Sequence, residues 1–438
     1  MGYFLSMSSD DSLPASGMEL NRQGPKEEKW SSQCSLPWKN EKYLSRIGNP
    51  VRMVAMQKTA EIIIIGGGII GTSIAFHLAQ KGARGVVLLE KGMLGEGSTA
   101  KCVGGIRSQF STEINIRFSL ESLPTWDHFE EITGVDLGFK KVGYLFLATT
   151  EDEWVVFKTN VHLQQEFAIP VEPLSPGEIQ GRWPYLKVDD LQGGTFCPRD
   201  GYAGPYEALS GFAKGARRGG VKIYEGTEVR EILHEGGKIA GVRTSNGNIT
   251  APVVVNAAGP YAEQAGKMAG VEVPVKPYRR QIFFTPPFPW IPDPIPLVID
   301  FHRGWYFRRE GQGLLLSGPK DNFPSFNVHV DYEAMVEVAE NSIYRVPILE
   351  KAEINRGWAG SYEISPDNHA ILGEAPGVKG LFLANGFSGH GFQHSPAVGQ
   401  IMSAIILGEK PSIDISCLSV ERFSRGQLIQ EPLTAFKE

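Results

Sequence analysis

Cysteine is scarce in this chain: there are four (Cys34, Cys102, Cys197 and Cys417), and none stands in a C-x-x-C or other metal-ligand spacing. That leaves no sign of a disulfide scaffold or a thiolate metal site. It reads as free thiols in a reducing compartment, so a cytoplasmic location is expected. Long apolar runs are also missing. The longest, Ile62 to Ile70, is interrupted by three glycines and falls well short of the ~20 apolar residues of a membrane helix, so no transmembrane segment is expected. There is no basic excess either. A net charge of −6 carries no electrostatic footprint of nucleic-acid binding, and no internal repeat is evident. What is there, 438 residues with 42% hydrophobic and 21% charged content, suits a globular protein with two sizeable cores.

Residues 1–58 differ from the rest. They mix Ser, Asp, Glu, Lys, Pro and Asn with scattered aromatics and show no sustained period. They are expected to form a disordered extension, or to lie upstream of a start at Met53 or Met56. The Phe4-Leu5 patch is too short for a signal peptide, and Asp10, Asp11, Glu19, Glu27 and Glu28 argue against a mitochondrial presequence.

Between Ala60 and Glu90 a nucleotide-binding unit is written out in order. The run Glu61 to Ile65 predicts a buried parallel strand, and Gly66-Gly67-Gly68-Ile69-Ile70-Gly71 satisfies G-x-G-x-x-G. Ile70, Ile74 and Leu78 recur at helical spacing up to Lys81, where Gly82 predicts a C-cap. Val86 to Leu89 predicts a second strand, ending in Glu90. Gly66 allows the tight turn, Gly68 lets backbone approach a pyrophosphate, and Gly71 lets helix and strand pack closely. The helix N-terminus offers N–H groups to phosphates. Glu90 suits an adenosine ribose, and its charge argues against a 2′-phosphate.

The remaining elements are scattered, which predicts two interleaved domains. Helices are expected over Ile114 to Ile132, Glu151 to Phe167, Tyr206 to Arg218 and Asp331 to Tyr344. Strands are expected over Lys141 to Thr150, Val221 to Tyr224, Asp300 to Arg309 and Gly313 to Ser317. Thr227 to Ala258 reads as strands joined by hairpins at Glu235-Gly236-Gly237-Lys238 and Ser245-Asn246-Gly247-Asn248. It closes on a buried strand, Val253 to Val255, that brings Ala258 and Gly259 to the cofactor. Thr285 to Pro296 is dense in proline and predicts an irregular surface loop. Arg356 to Gly373 is expected to return to the nucleotide domain.

A second glycine-rich loop follows a second buried strand. Leu381 to Asn385 leads into Gly386-Phe387-Ser388-Gly389-His390-Gly391-Phe392, and Ser395 and Pro396 predict the N-cap and first residue of a helix that ends at Gly408. A positive helix end there would stabilise negative charge on a reduced isoalloxazine. Nicotinamide enzymes have no general need of such a loop, so FAD is favoured over NAD.

The first glycine motif with Glu90, the Gly104 to Phe110 segment (Gly-Gly-Ile-Arg-Ser-Gln-Phe) and the Gly386 to Phe392 loop together resemble the D-amino-acid-oxidase-like (DAO) FAD-dependent family. Within it the chain is most similar to the sarcosine oxidase branch, in particular the β subunits of heterotetrameric sarcosine oxidase and dye-linked L-proline dehydrogenase. The resemblance spans about Ala60 to Leu407. It implies an α/β fold in which a Rossmann-like FAD-binding domain of the glutathione-reductase type is interleaved with an α+β substrate domain built on an antiparallel sheet. The corresponding division is 59–140, 200–275 and 355–412 for FAD, 141–199 and 276–354 for substrate, and 413–438 for a C-terminal tail.

What the resemblance implies for function is FAD-dependent oxidation of a small amino acid, secondary amines such as sarcosine or proline first among them. A hydride passes from the carbon beside nitrogen to flavin N5, and an imine forms. Arg107 matches the position that holds the substrate carboxylate, a task suited to a guanidinium. Tyr362 and Tyr306 match active-site tyrosines, His390 and Gln393 stand in the flavin loop region, and backbone contact is the expected role of His390. FAD contacts are implied for Gly66, Gly68, Ile69, Gly71, Glu90, Lys91, Ser98, Thr99, Gly104, Gly105, Val229, Ala258, Gly259 and Gly360, and for Gly386 and Ser388 to Phe392.

Several positions depart from the family pattern. Gly360 and Lys101 stand where relatives carry a flavin-tethering cysteine or histidine, so FAD is expected to be non-covalent. Gln393 replaces a carboxylate-binding lysine. Leu315 replaces a lysine near flavin N5 that activates oxygen, which leans toward a dehydrogenase. No histidine occurs between Asp200 and Ala208 to tether FMN, so an FMN, present only if the chain joins a heteromeric complex, would be non-covalent too. An α-type partner subunit or an electron acceptor is the partner this implies. The alternatives are a flavin-binding assembly or scaffold protein without turnover, and an oxidase or dehydrogenase of glycine, an opine or a 2-hydroxy acid.

Overall fold

Four successive isoleucines, Ile62–Ile65, are all buried, as a central parallel strand requires, since both of its faces are covered. In the computed structural model, which describes residues 56–319 and 321–430, this strand lies inside a six-stranded sheet. The order is Ile371–Glu374, Leu381–Asn385, Val253–Asn256, Ile62–Ile65, Val86–Leu89, Lys222–Tyr224. All neighbours are parallel except the Ile371–Glu374 edge. Strand alternation decides the layers. Ile62, Ile64, Val86 and Leu88 pack with the helices Ile69–Gln80, Pro205–Arg218 and Gly391–Ile406. Ile63, Ile65, Val87 and Leu89 pack against a three-stranded sheet, Val229–Glu235, Lys238–Thr244 and Gly247–Thr250. The helices Ile69–Gln80 and Gly391–Ile406 touch closely because position 399 is glycine. A Cβ there would lie 2.3 Å from Ser73 Oγ, and Ser73 Oγ itself donates to the carbonyl of Ser395 at 2.7 Å.

The second sheet has eight strands in the order Arg356–Ile364, Lys276–Phe284, Gly313–Ser317, Trp305–Glu310, Leu297–Asp300, Tyr144–Ala148, Gly193–Cys197, Glu172–Leu174. Only Leu297–Asp300 and Tyr144–Ala148 run parallel. The strand Arg356–Ile364, expected with the nucleotide domain, is therefore an edge of this sheet, in register with Lys276–Phe284 along its whole length.

Other elements also differ from expectation. The stretch Asp300 to Arg309 is not one strand: Asp300 ends Leu297–Asp300 and its Oδ1 accepts from the Arg303 amide at 3.1 Å, turning the chain at Gly304 into Trp305–Glu310. Thr285 to Pro296 is irregular and runs over the surface, as expected, with Pro287, Pro289, Trp290, Pro292, Asp293 and Pro294 exposed, while Phe288, Ile291 and Ile295 turn inward and are buried. The last long helix starts at Gly391, not at Ser395, and Pro396 lies inside it. The carbonyl of Phe392, which a proline cannot serve, instead accepts from Ser395 Oγ at 2.8 Å. Residues 1–55 of the expected extension and residues 431–438 lie outside the described residues. Residues 56–58 belong to the folded unit, the Lys58 carbonyl accepting from the Thr250 amide at 3.0 Å.

Much of the expected C-terminal tail is anchored. Arg422 donates to both oxygens of Asp367, at 2.8 and 2.9 Å, and to the carbonyls of Leu418 and His369. Both side chains are buried. Replacing Arg422 by leucine should destabilise the protein by about 3–5 kcal/mol, because it strands a buried carboxylate. Denaturant unfolding of the variant against the parent would show it. Burial raises the pKa of Asp367, but the bonds and charge of Arg422 outweigh it and the net shift is downward. The contribution is therefore present above the unfolded carboxylate value of about 3.9 and is lost as pH falls below it.

Candidate active site

The strand–turn–helix that opens the six-stranded sheet is built around backbone close approach. Gly66 has φ +112°, and a Cβ there would lie 2.3 Å from the Ala257 carbonyl; one at Gly71 would lie 2.0 Å from the Gly66 carbonyl. Gly68 is the helix N-cap in extended conformation, and Thr99 Oγ1 accepts the Ile69 amide at 3.0 Å. Glu90 sits at the end of the next strand, where its two oxygens accept the Gly67 and Gly92 amides at 2.7 and 2.8 Å. A carboxylate has about four lone-pair sites, so both oxygens keep acceptor capacity. The Lys91 ammonium lies 3.1 Å over the ring of Tyr261. Ser98 Oγ donates to the Ser361 carbonyl at 2.6 Å, tying this turn to the larger sheet.

Between the two sheets lies a cavity of about 930 Å³, at the upper end of the ~300–1,000 Å³ of small-molecule sites. Gly66, Gly68, Ile69, Glu90, Lys91, Ser98, Thr99, Gly104 and Gly105 line it from one side, and Val229, Ala258 and Gly259 from the strand ends next to them. Gly360, Tyr362, Ser388, Gly389, His390, Gly391, Phe392 and Gln393 line it as well, with Arg107 and Tyr306. Gly71 and Gly386 are behind the wall. Gly71 serves helix packing, and Gly386 turns the chain at φ +69° against Ser365 and Val275. The two positions where the resemblance looks for a flavin tether face one another: a Cβ on Gly360 would be 2.5 Å from Lys101 Cβ.

Arg107 is held from several directions. Its amide donates to Gln393 Oε1 at 2.9 Å, its guanidinium donates to the Gln109 carbonyl, and it stacks 3.8 Å over Phe110. The next residue is clamped as well, since the Ser108 amide and Oγ donate to the two oxygens of buried Asp200 at 3.0 and 2.8 Å. Gln393 thus positions Arg107 backbone through its side chain. Tyr362 presses on the flavin loop, its Cε2 2.7 Å from where a Gly389 Cβ would be. Burial, then Tyr306, holds its pKa well above the ordinary phenol value, so it stays a neutral phenol. The buried hydroxyl of Tyr306 has no hydrogen-bond partner among the described residues. His390 is kept neutral, its pKa lowered by burial and then by Arg107, His394 and His369. An uncharged imidazole fits a backbone role for the loop better than acid–base work at neutral pH.

Three wall residues escape a sequence reading. Arg280, on Lys276–Phe284, lies 4.8 Å from the ring of Tyr306 and 5.5 Å from that of Tyr362, and donates to the Gly304 carbonyl at 3.0 Å. The available signal was Arg279-Arg280 inside an apolar strand. Alternation sends one to Asp321 and Asp331 and the other to the cavity. Tyr144 carries its hydroxyl to within 2.8 Å of a Cβ on Gly105, and burial raises its pKa. Glu363 neighbours Tyr362 on the wall. Leu315, by contrast, is in the core behind Tyr144, Ile282 and Tyr306. It shares their face of the sheet but is not on the cavity wall, so it does not report on oxygen.

A glycine-cradled strand–turn–helix with an acid at the second strand, joined to a second glycine loop on a helix N-terminus and a roofing antiparallel sheet, defines a two-domain flavoprotein. The family model for FAD dependent oxidoreductases (DAO) matches residues 61–405, and the chain belongs to that family. It is 32% identical over 393 residues to mitochondrial dimethylglycine dehydrogenase of Rattus norvegicus, covering 84% of this chain and 45% of that protein. It is 31% identical over 425 residues to FAD-dependent oxidoreductase domain-containing protein 1 of Xenopus laevis, covering 85% and 84%. Among solved structures, L-proline dehydrogenase from P. horikoshii superposes with a TM-score of 0.80 at 35% identity, covering 85% of this chain and 100% of that one. The chain spans under half the length of the dimethylglycine dehydrogenase it matches. Among the described residues no helix is long and apolar enough to cross a membrane.

Proposed function

We propose that the protein oxidises a small amino acid, a secondary amine such as sarcosine or proline in the first place, with non-covalent FAD as the immediate electron acceptor. The observation that carries this reading is Arg107: a guanidinium stacked on Phe110, fixed at both ends of its residue, on the wall shared with the flavin loop. The site fits FAD: both Glu90 oxygens keep acceptor capacity for a ribose, and one cavity of about 930 Å³ is lined by both the Gly66–Gly68 turn and the Ser388–Phe392 loop. Bound FAD supplies the two-electron sink. Arg107 holds the substrate carboxylate. The Tyr306 hydroxyl takes a hydrogen bond from the substrate nitrogen, and the sheet residues Ile282 and Ile299 exclude water from the reacting carbon. Loss of the hydride from the neutral amine leaves an iminium ion; its N–H proton passes to solvent to give the imine, which water then hydrolyses.

Electrons leave to a separate acceptor or to an α-type partner subunit; an FMN, present only if the chain joins such a heteromeric complex, would be non-covalent. The free thiols of Cys102, Cys197 and Cys417 support a reducing, cytoplasmic setting. Assaying the yellow protein with sarcosine, L-proline, dimethylglycine and glycine, once with a dye acceptor and once with oxygen alone, tests the proposal. Turnover of at least one amine, faster with the dye, is the expected result. Absence of turnover with every amine under both conditions would contradict it.

A further inference from the structure

Glu363 is a carboxyl group for which the proposed reaction has no use, and its surroundings assign it one. It lines the cavity wall, and its Oε2 is sealed from solvent with no hydrogen-bond partner. The same oxygen lies 3.2 Å from where a Cβ of Gly259 would be, and the Glu363 carbonyl accepts the Ser388 amide at 3.0 Å. The residue therefore stands between the strand end at Gly259, which its side chain reaches, and the flavin loop at Ser388, which its backbone holds. Adenosine belongs at Glu90 and isoalloxazine at Gly389 to Gln393. The piece of FAD that must run between those ends is the diphosphate–ribityl chain, which is rich in oxygen acceptors and carries negative charge.

The charged and titratable groups on the elements packed against Glu363 leave it without a counter-ion of its own. Lys276 is bound by both oxygens of Glu263 at 2.8 Å, and Arg279 by Asp321 and Asp331. Arg280 is engaged with Tyr306, Tyr362 and the Gly304 carbonyl. Lys101 lies against Gly360, and the Lys91 ammonium sits on Tyr261. His390 is neutral, as is the phenol of Tyr362, whose pKa burial raises. Burial raises the Glu363 pKa to about 8, against the Phe387 amide, which lowers it.

We propose that Glu363 is an uncharged carboxylic acid that donates its proton in a hydrogen bond to an oxygen of the FAD diphosphate–ribityl chain, so that its protonation is a condition of cofactor retention. An ionised carboxylate there would lose the donor and set like charge beside the diphosphate. The inference concerns cofactor retention and is independent of which amine is oxidised.

The test is the FAD dissociation constant of the holoprotein, read from free-flavin fluorescence after serial dilution between pH 6.5 and 9.5. For the wild type it should be level to about pH 8 and then rise, up to tenfold per pH unit. E363Q keeps an N–H donor but cannot ionise, so it should bind FAD at pH 7 within a few-fold of the wild type, with a flat profile. E363A should bind at least tenfold more weakly at pH 7, also flat, with circular dichroism unchanged. A flat wild-type profile, an E363Q profile that rises like the wild type, or an E363Q protein that retains no FAD would each overturn the proposal.

Discussion

Replacing Arg107 by alanine should lower kcat/KM for the preferred amine by roughly a hundredfold or more while the protein stays yellow. The estimate follows from removing one partner of a buried, hydrogen-bonded ion pair, which costs about 3 kcal/mol, at about 1.4 kcal/mol per decade. Most of the loss should fall on KM, since the carboxylate is held alike in the ground and transition states. The lysine variant should recover little. The site uses the plane of the guanidinium, stacked 3.8 Å over Phe110 and donating to the Gln109 carbonyl, and an ammonium on a flexible stem offers neither the plane nor the fork. Steady-state kinetics with the flavin content of each variant measured in parallel would separate substrate binding from cofactor loss. Unchanged KM in the alanine variant would remove Arg107 from substrate recognition.

The second large effect is expected at Gly71. It lies in the first turn of Ile69–Gln80, where alanine would ordinarily favour the helix by about 1 kcal/mol. Here a Cβ would lie 2.0 Å from the Gly66 carbonyl and 3.3 Å from Ile64 Cγ2. Neither the turn nor the central strand can yield without moving the glycine cradle. Gly71→Val should therefore abolish FAD retention and destabilise the fold by 4 kcal/mol or more, about the limit for single substitutions. Gly82→Ala is the control. Unlike the helical Gly71, that glycine has positive φ, at +79°, but nothing lies within 4 Å, so only backbone strain of about 1–2 kcal/mol is expected. Flavin absorbance per protein and denaturant midpoints of the two variants give the comparison.

The nucleotide-binding unit is legible in the sequence because its determinants are local. Strand, turn, helix and acid occupy Ile62 to Glu90, and each leaves its own period or glycine in the chain. The second glycine loop is legible for the same reason, yet the start of its helix is not. Ser395-Pro396 has the local chemistry of a helix start. The choice falls to Gly391 because Ser395 Oγ serves the Phe392 carbonyl and the long-range contact at Gly399 holds the preceding turn against Ser73.

The sheet side of the cavity is harder to read, since it is assembled from strands far apart in the chain. Tyr144, Arg280 and Glu363 reach one cavity only through the pairing of Lys276–Phe284 with Arg356–Ile364 and the closure of the sheet toward Tyr144–Ala148. Period alone cannot say which face of such a strand meets a cofactor. Leu297–Asp300 goes unread because it is short, follows a proline-rich stretch and pairs in parallel with a strand about 150 residues earlier. The opposition of Lys101 to Gly360 is likewise a fact of tertiary structure, though each residue draws notice on its own.

The most direct measurement is an anaerobic visible spectrum of the purified protein as sarcosine, L-proline, dimethylglycine and glycine are added in turn, with no acceptor present. Bleaching of the oxidised-flavin bands by at least one amine, and not by any of them in the Arg107→Ala variant at the same concentration, is the expected result. A yellow protein whose bands stay unchanged with every amine would contradict amine oxidation at this site, and a protein that neither carries nor takes up FAD would contradict the cofactor cradle itself.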